Sequence, residues 1–303
     1  MHIFLIRHGE TEHNVAGLLA GVSDSRLTNH GVQQTQRLGK YLVTHRNLRF
    51  TRIYASDLQR AYMTAEEIRV HQSAQWSATG APEVVRLPVL REKDFGSFEL
   101  VPWASQRAQN ALDPRVPNPQ DPSFVPQESS ESMKLRADTF VADFILPLAT
   151  SLWATEQEFA NECVAVVSHG LFLAALWKSL LAQFNTGTVV LGPNIEVLSY
   201  GRPLEYLPSW NNTAFLELTI RRAASDAATD TAAEVQPAQT QHAYSMPFYD
   251  CSMTVHAING RDHLLDLKRA RGGIGSAAYD AKQKSLDGFF KRPKDDSASG
   301  AAG

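Results

Sequence analysis

Two histidines occupy matching places in the chain. His8 follows the apolar run Ile3–Ile6 in Arg7-His8-Gly9, and His169 follows the run Cys163–Val167 in Ser168-His169-Gly170. A short apolar run that stops at polar residues and glycine predicts a buried strand running into a loop. Open α/β sheets bind ligands at the carboxyl ends of their strands, so both imidazoles fall where a site belongs. Either histidine alone is as readily a buried structural residue. Two together, each followed by a glycine that lets a ligand approach the backbone, argue for chemistry. Imidazoles at such a place serve as nucleophile, acid or base, and Arg7 beside His8 offers a guanidinium fork to an anion.

The surrounding residues extend this reading. Arg7-His8-Gly9-Glu10-Thr11-Glu12-His13-Asn14 resembles the signature of the histidine phosphatase superfamily, in its phosphoglycerate mutase-like branch. Ser56-Asp57-Leu58-Gln59-Arg60-Ala61-Tyr62-Met63-Thr64-Ala65 resembles the family's second arginine motif. Leu90-Arg91-Glu92-Lys93-Asp94-Phe95-Gly96-Ser97-Phe98-Glu99 resembles its acid motif, and Val166-Val167-Ser168-His169-Gly170 its second histidine motif. Four motifs in the family's order are far more specific than any one of them. The likeness continues to Asn212 and to Ile258-Asn259. It implies a phosphohistidine on His8, phosphate binding by Arg7, Arg60 and Gly170, and His169 as the second catalytic imidazole. It also implies that Asn14 and Gly21 line the phosphate pocket. Glu92 becomes the proton donor to the leaving alkoxide and then the base that activates water. No metal or cofactor is expected. Arg91 reads as structural, Glu10 and Glu12 as loop or helix-start charges, and His13 and His30 as bystanders.

Departures from the family pattern bear on the substrate. Leu100 stands where the family often has glycine, and Pro126-Gln127-Glu128-Ser129 replaces a Gly-Glu-Ser/Thr stretch. Residues 102–126, with prolines at 114, 117, 119, 122 and 126, predict a lid insertion. Arg107 and Arg115 are the arginines it offers to a substrate carboxylate, which favours a phosphatase over a mutase. The layout resembles the fructose-bisphosphatase-like, glycolysis-regulator type. A phosphoglycerate mutase-type phosphotransferase and a non-catalytic adaptor are the alternatives. The substrate is expected to be a phosphorylated small molecule or a phosphoprotein.

The elements needed to position these residues are legible as alternating strands and helices. Strands are expected near 3–6, 52–56, 84–90, 163–167, 189–200, 214–220 and 252–258. Helices are expected at 31–44, 58–70, 129–152 with an interruption at Pro147, and 170–183. Such alternation predicts an α/β fold, a mostly parallel sheet covered by helices on both faces. The compact domain is expected over 1–267. Within it, 223–242 is an Ala/Asp/Thr/Gln-rich insertion expected to be disordered. The chain has 303 residues, 43% hydrophobic and 20% charged, with a net charge of −3, a composition that supports a sizeable core and argues against a strongly basic nucleic-acid binder. Two cysteines, Cys163 and Cys251, exclude a disulfide scaffold or cysteine-rich zinc module. The opening apolar run is too short for a signal peptide, and no window reaches the ~20 apolar residues of a membrane span. An intracellular location, cytoplasmic or nuclear, is the expectation, with no membrane partner.

The tail, 268–303, carries a separate signal. Gln283, Leu286, Phe289 and Phe290 have the spacing Q-x-x-L-x-x-F-F across 283–290. This resembles the peptide that docks on the sliding clamp, proliferating cell nuclear antigen (PCNA). One 3₁₀ turn puts the three apolar side chains on one side as a plug, with Gln283 as polar anchor. Packing of a C-terminal helix onto its own domain is the plainer alternative. Lys268-Arg269-Ala270-Arg271 and Lys291-Arg292-Pro293-Lys294 read equally as a bipartite nuclear-import signal or as solvated charge.

Overall fold

The computed structural model describes residues 1–77, 80–107, 114–152, 155–193, 195, 204–207, 210–222, 247–248 and 250–281. Residues 108–113 of the expected lid, the insertion at 223–242 and the clamp-like motif at 283–290 lie outside the described residues.

The strands are β1 (His2–Arg7), β2 (Arg52–Ser56), β3 (Val84–Leu87), β4 (Cys163–Ser168), β5 (Val189–Leu191), β6 (Phe215–Arg222) and β7 (Cys251–Gly260). They form one sheet in the order β3-β2-β4-β1-β6-β7-β5. β1 to β4 pair in parallel, and β5 pairs in parallel with β7. β6 runs against both of its neighbours, β1 and β7. The expected α/β class and mostly parallel sheet are therefore what the chain adopts. The reversal at β6 was not anticipated, because an apolar run carries no direction. Among the described residues no helix intervenes between β5 and β6 to signal a parallel crossover. Pro88 opens a 3₁₀ turn and ends β3, the edge strand, at Leu87.

The helices are α1 (Glu12–Ala16), α2 (Asn29–Lys40), α3 (Gln59–Gln75), α4 (Trp103–Arg107), α5 (Ser130–Phe140), α6 (Leu146–Leu152), α7 (Glu156–Asn161) and α8 (Gly170–Leu181). Thr28 and Ser129 cap α2 and α5 by accepting from Gly31 N and Ser132 N. The stretch expected to break at Pro147 passes through a π turn, Val141–Ile145, in which Leu146 N bonds Val141 O. Pro147 follows in the first turn of α6, where a missing N–H is tolerated.

Period-two alternation divides the central strands between two cores. Phe4 and Ile6 of β1 and Ala165 and Val167 of β4 face Leu38 of α2 and Ala61, Ala65 and Ile68 of α3. Ile3, Leu5, Val164 and Val166 face Phe140 of α5 and Phe172, Leu176 and Trp177 of α8. Both faces are covered, which is why β1 and β4 read as unbroken apolar runs.

The packed chain continues past the boundary expected at Leu267. Asn29 N donates to Ala277 O and Tyr279 N to Leu27 O. Backbone hydrogen bonds hold this segment, so its small polar composition conceals it. Among the described residues no helix is long and apolar enough to cross a membrane.

Candidate active site

β1 and β4 are paired in register, with Arg7 opposite Ser168. The residues that follow therefore leave the sheet side by side. His8 N donates to Ser168 O at 3.0 Å. The His8 and His169 rings lie 5.1 Å apart between centroids, tilted by 56°. His8 is 4% exposed and His169 is 0% exposed.

The two imidazoles hold opposite tautomers. His8 Nδ1 lies 2.7 Å from Gly9 O, which can only accept, so Nδ1 carries the hydrogen and Nε2 keeps its lone pair. Arg60 Nε donates to His169 Nδ1 at 3.2 Å, so that nitrogen is the acceptor and the hydrogen sits on Nε2. His169 Nε2 is buried and has no partner. Burial, then Arg60 and Arg7, push the His8 pKa well below the ordinary imidazole range, against a small opposing effect of Gly9 O. Burial, then Arg60, His8 and Arg7, do the same to His169. Both rings are neutral: one presents a lone pair and the other an N–H.

Arg7 Nη1 donates to Trp210 O at 2.6 Å, and its Nε is buried without a partner. A side chain at Gly170 would place its Cβ 3.8 Å from that Nε. Arg60, 1% exposed, is the organiser of the pocket wall. Besides His169 it reaches Ser23 O, Ala20 O and Gly21 O at 2.9, 3.2 and 2.7 Å. Burial lowers the pKa of both guanidiniums, with Glu92 opposing.

Glu92 sits at the start of α8. Its Oε1 accepts from Lys93 N and Phe172 N, and its Oε2 from Leu171 N at 3.1 Å. Its carboxylate thus caps the helix that His169 precedes, a favourable place for negative charge. Ser168 Oγ donates to Leu90 O at 2.7 Å and ties the acid segment to the end of β4. Asn14 belongs to the capping box of α1 and accepts from Asn212 Nδ2 at 3.0 Å. The same Nδ2 reaches His8 O at 3.1 Å. Gly21 N bonds Glu99, whose carboxylate also receives Val22 N, Ser23 N and Phe95 N.

The fold thus gathers His8, Arg7, Arg60, Glu92, His169, Gly170 and Gly21 at the carboxyl end of the central strands, with Asn14 linked through Asn212. Gln283, Leu286, Phe289 and Phe290 lie outside the described residues. Glu99 and Gln34, which accepts from Glu10 N at 3.0 Å, were not foreseen. Glu99 ends the acid motif, but its partners Gly21, Val22 and Ser23 lie far back in the chain, and Gln34 reads as a solvated glutamine on a helix. Glu10, expected as a loop charge, is 8% exposed and paired with Arg269. Arg91 forms a bidentate pair with Asp57 at 2.8 and 2.6 Å. Cys163 is buried, which pushes its thiol up to about 12.

The same end of the sheet thus carries a ring nitrogen with a lone pair, two buried N–H groups without protein partners on Arg7 and His169, and a second guanidinium behind them, a set of groups suited to binding an oxyanion. The family model of the histidine phosphatase superfamily, branch 1, matches residues 3–196. A probable phosphatase of Schizosaccharomyces pombe is 30% identical over 289 residues, covering 95% of this chain and 79% of the relative. A metal-independent phosphoserine phosphatase of Arabidopsis thaliana is 28% identical over 223 residues, 71% of this chain and 82% of the relative. The crystal structure of a phosphoglycerate mutase from Bacillus anthracis shares the fold, with a TM-score of 0.52 at 16% identity over 88% of this chain and 96% of that one. The motif order read from the sequence and this family match coincide: the chain belongs to the histidine phosphatase superfamily, branch 1, and is a phosphatase.

Proposed function

We propose that the chain hydrolyses phosphate monoesters of small molecules through a phosphohistidine on His8. The opposed tautomers of His8 and His169 carry this reading. The Nε2 lone pair of His8 attacks phosphorus, and the P–O bond to the leaving alcohol breaks. Arg7 Nε–H and His169 Nε2–H, both without protein partners, donate to the phosphoryl oxygens. Glu92, in its protonated form, delivers its proton to the departing oxygen. Water then attacks the phosphohistidine, Glu92 takes its proton, and phosphate leaves with His8 restored. Positive charge for the dianion comes from the two guanidiniums, so the reaction is expected to proceed without a metal. Arg60 supports it by holding His169 and the 20–23 loop.

The test is turnover of p-nitrophenyl phosphate with EDTA present. Wild type should be active and His8→Ala inactive, and a wild-type burst should leave an acid-labile, base-stable phosphoprotein. A fully active His8→Ala sinks the mechanism. The spacing of Gln283, Leu286, Phe289 and Phe290 further supports docking of the tail on PCNA. Immobilised clamp should retain the full chain and release the Phe289→Ala/Phe290→Ala variant; equal retention removes that part of the proposal.

A further inference from the structure

The chain does not leave the domain after β7. It returns across the start of α2 and sends one side chain to the loop that carries the nucleophile. Residues 261–281 pass a 3₁₀ turn at Asp262–Leu264 and a second at Ile274–Ser276. They are fixed to α2 and its cap by Asn29 Nδ2 to Ile274 O at 2.8 Å, Asn29 N to Ala277 O and Tyr279 N to Leu27 O. From this strap the Arg269 guanidinium forms a fork with Glu10. Nη1 donates to Glu10 Oε1 at 2.9 Å and to Ser276 Oγ at 2.9 Å, and Nη2 donates to Glu10 Oε2. Thr28 Oγ1 donates to the same Oε1 at 2.8 Å.

Glu10 is two residues from His8 and shares a peptide unit with Gly9. The oxygen of that unit, Gly9 O, bonds His8 Nδ1, and its N–H, Glu10 N, bonds Gln34 Oε1. The orientation of this one peptide plane therefore sets which nitrogen of His8 keeps its lone pair. Glu10 is held at all of its groups: N–H by Gln34, O by Thr28 N, and carboxylate by Arg269 and Thr28. Gly31 makes the close fit, because a Cβ there would lie 2.0 Å from Glu10 O. A bidentate guanidinium–carboxylate pair fixes direction as well as charge.

We propose that Arg269 is a positioning residue for the reaction: through Glu10 it holds the Gly9–Glu10 peptide that orients His8. The proposal rests on the reading of His8 as nucleophile. Among the described residues the hydrogen bonds of Arg269 go to Glu10 and Ser276 and to none of His8, Arg7, Arg60, Glu92 or His169, so its removal should leave substrate binding alone.

The full-length chain tests this. Arg269→Met should lower kcat by about tenfold or more, as small displacements of a reacting group do, with KM changed less than about twofold. Nitrogen NMR of His8 should show hydrogen on Nδ1 in wild type and a mixture of Nδ1 and Nε2 in the variant. Guanidinium ions added to Arg269→Ala should restore part of kcat. Unchanged kcat and an unchanged His8 spectrum in folded Arg269→Met overturn the proposal. So does a parallel loss in kcat/KM and melting temperature that guanidinium does not reverse. Should Arg269→Met not fold, Arg269→Lys takes its place. Keeping the charge but losing the fork, it should give an intermediate kcat, and a wild-type kcat rejects the idea. The NMR comparison needs no turnover, so an inactive wild type would count against phosphohistidine chemistry and not against the role of Arg269.

Discussion

Arg60 Nε and His169 Nδ1 lie 3.2 Å apart, and this bond decides where the hydrogen of His169 goes. A guanidinium cannot accept, so the imidazole must, and its other nitrogen, Nε2, becomes a buried donor without a protein partner. The same guanidinium fixes three carbonyls of the 20–23 segment. One buried side chain therefore sets both the second histidine and the wall beside it.

Lysine cannot reproduce that fork. Arg60→Lys should lower kcat/KM for p-nitrophenyl phosphate by on the order of 10²-fold, the scale for losing one well-placed donor. Steady-state kinetics beside a melting curve checks it. A kcat/KM within threefold of wild type would show that His169 needs no such partner.

Glu92→Gln separates the proton-donor role from capping of α8. An amide offers one acceptor oxygen where the carboxylate meets three N–H groups, so some stability should be lost. The kinetic effect should follow the leaving group. Alkyl phosphates, whose alkoxides need a proton, should slow by about 10²–10⁴-fold, and p-nitrophenyl phosphate much less. Equal slowing of both would remove Glu92 from the role of acid.

Burial lowers the pKa of both Arg7 and Arg60, since each guanidinium carries its charge partly out of water, and a bound anion would offset that cost. Orthovanadate or phosphate should raise the melting temperature. At a hundredfold excess over Kd the gain is about 2.7 kcal/mol. Arg7→Ala should abolish most of the shift. A shift that persists in Arg7→Ala would place the anion elsewhere.

Acid should weaken the fold in a defined window. His8 and His169 have folded pKa values well below 6.5, and burial lowers His263 from 6.5 to about 4. Below 6.5 the unfolded chain binds protons that these buried rings refuse, so stability is present above 6.5 and is lost as pH falls toward 4. Glu217, held at about 2 against its own burial by Arg46 and His2, adds a second loss below 4.5. Melting temperature measured from pH 7 to 4.5 should fall steadily, and His263→Asn should flatten part of the slope. A level profile would contradict the burial of these histidines.

Leu100 holds φ at +63°, in the left-handed region that favours glycine. The side chain is 45% exposed, so little packing offsets the strain. Leu100→Gly should stabilise by about 1 kcal/mol, seen as a rise of roughly 2–4 °C in melting temperature. A lower melting temperature would mean that the leucine packs against something more valuable than the strain it imposes.

The central strands and the two histidines that follow them were legible because each rests on a local pattern. Ile3–Ile6 and Cys163–Val167 are apolar on both faces of the sheet, and each ends in a histidine and a glycine. The direction of β6 was not legible, since hydrophobicity is the same read either way. Nor were the contacts of Glu99 or Gln34, which join segments distant in sequence and leave no period behind. Arg269 looked like part of a basic tail, because a charge gives no sign of whether its partner is solvent or a buried carboxylate. Long-range ion pairs are visible only once the strands have brought their ends together.

The Arg269–Glu10 pair spans 259 positions. Chains are made from the N-terminus, so the loop bearing His8 is synthesised well before its partner Arg269. During that interval β1 lacks its neighbours β4 and β6 as well, and an edge of apolar strand is open to the wrong pairing. Every described strand precedes Arg269 in the chain, so the pair becomes possible only when the whole of the sheet is already available to form.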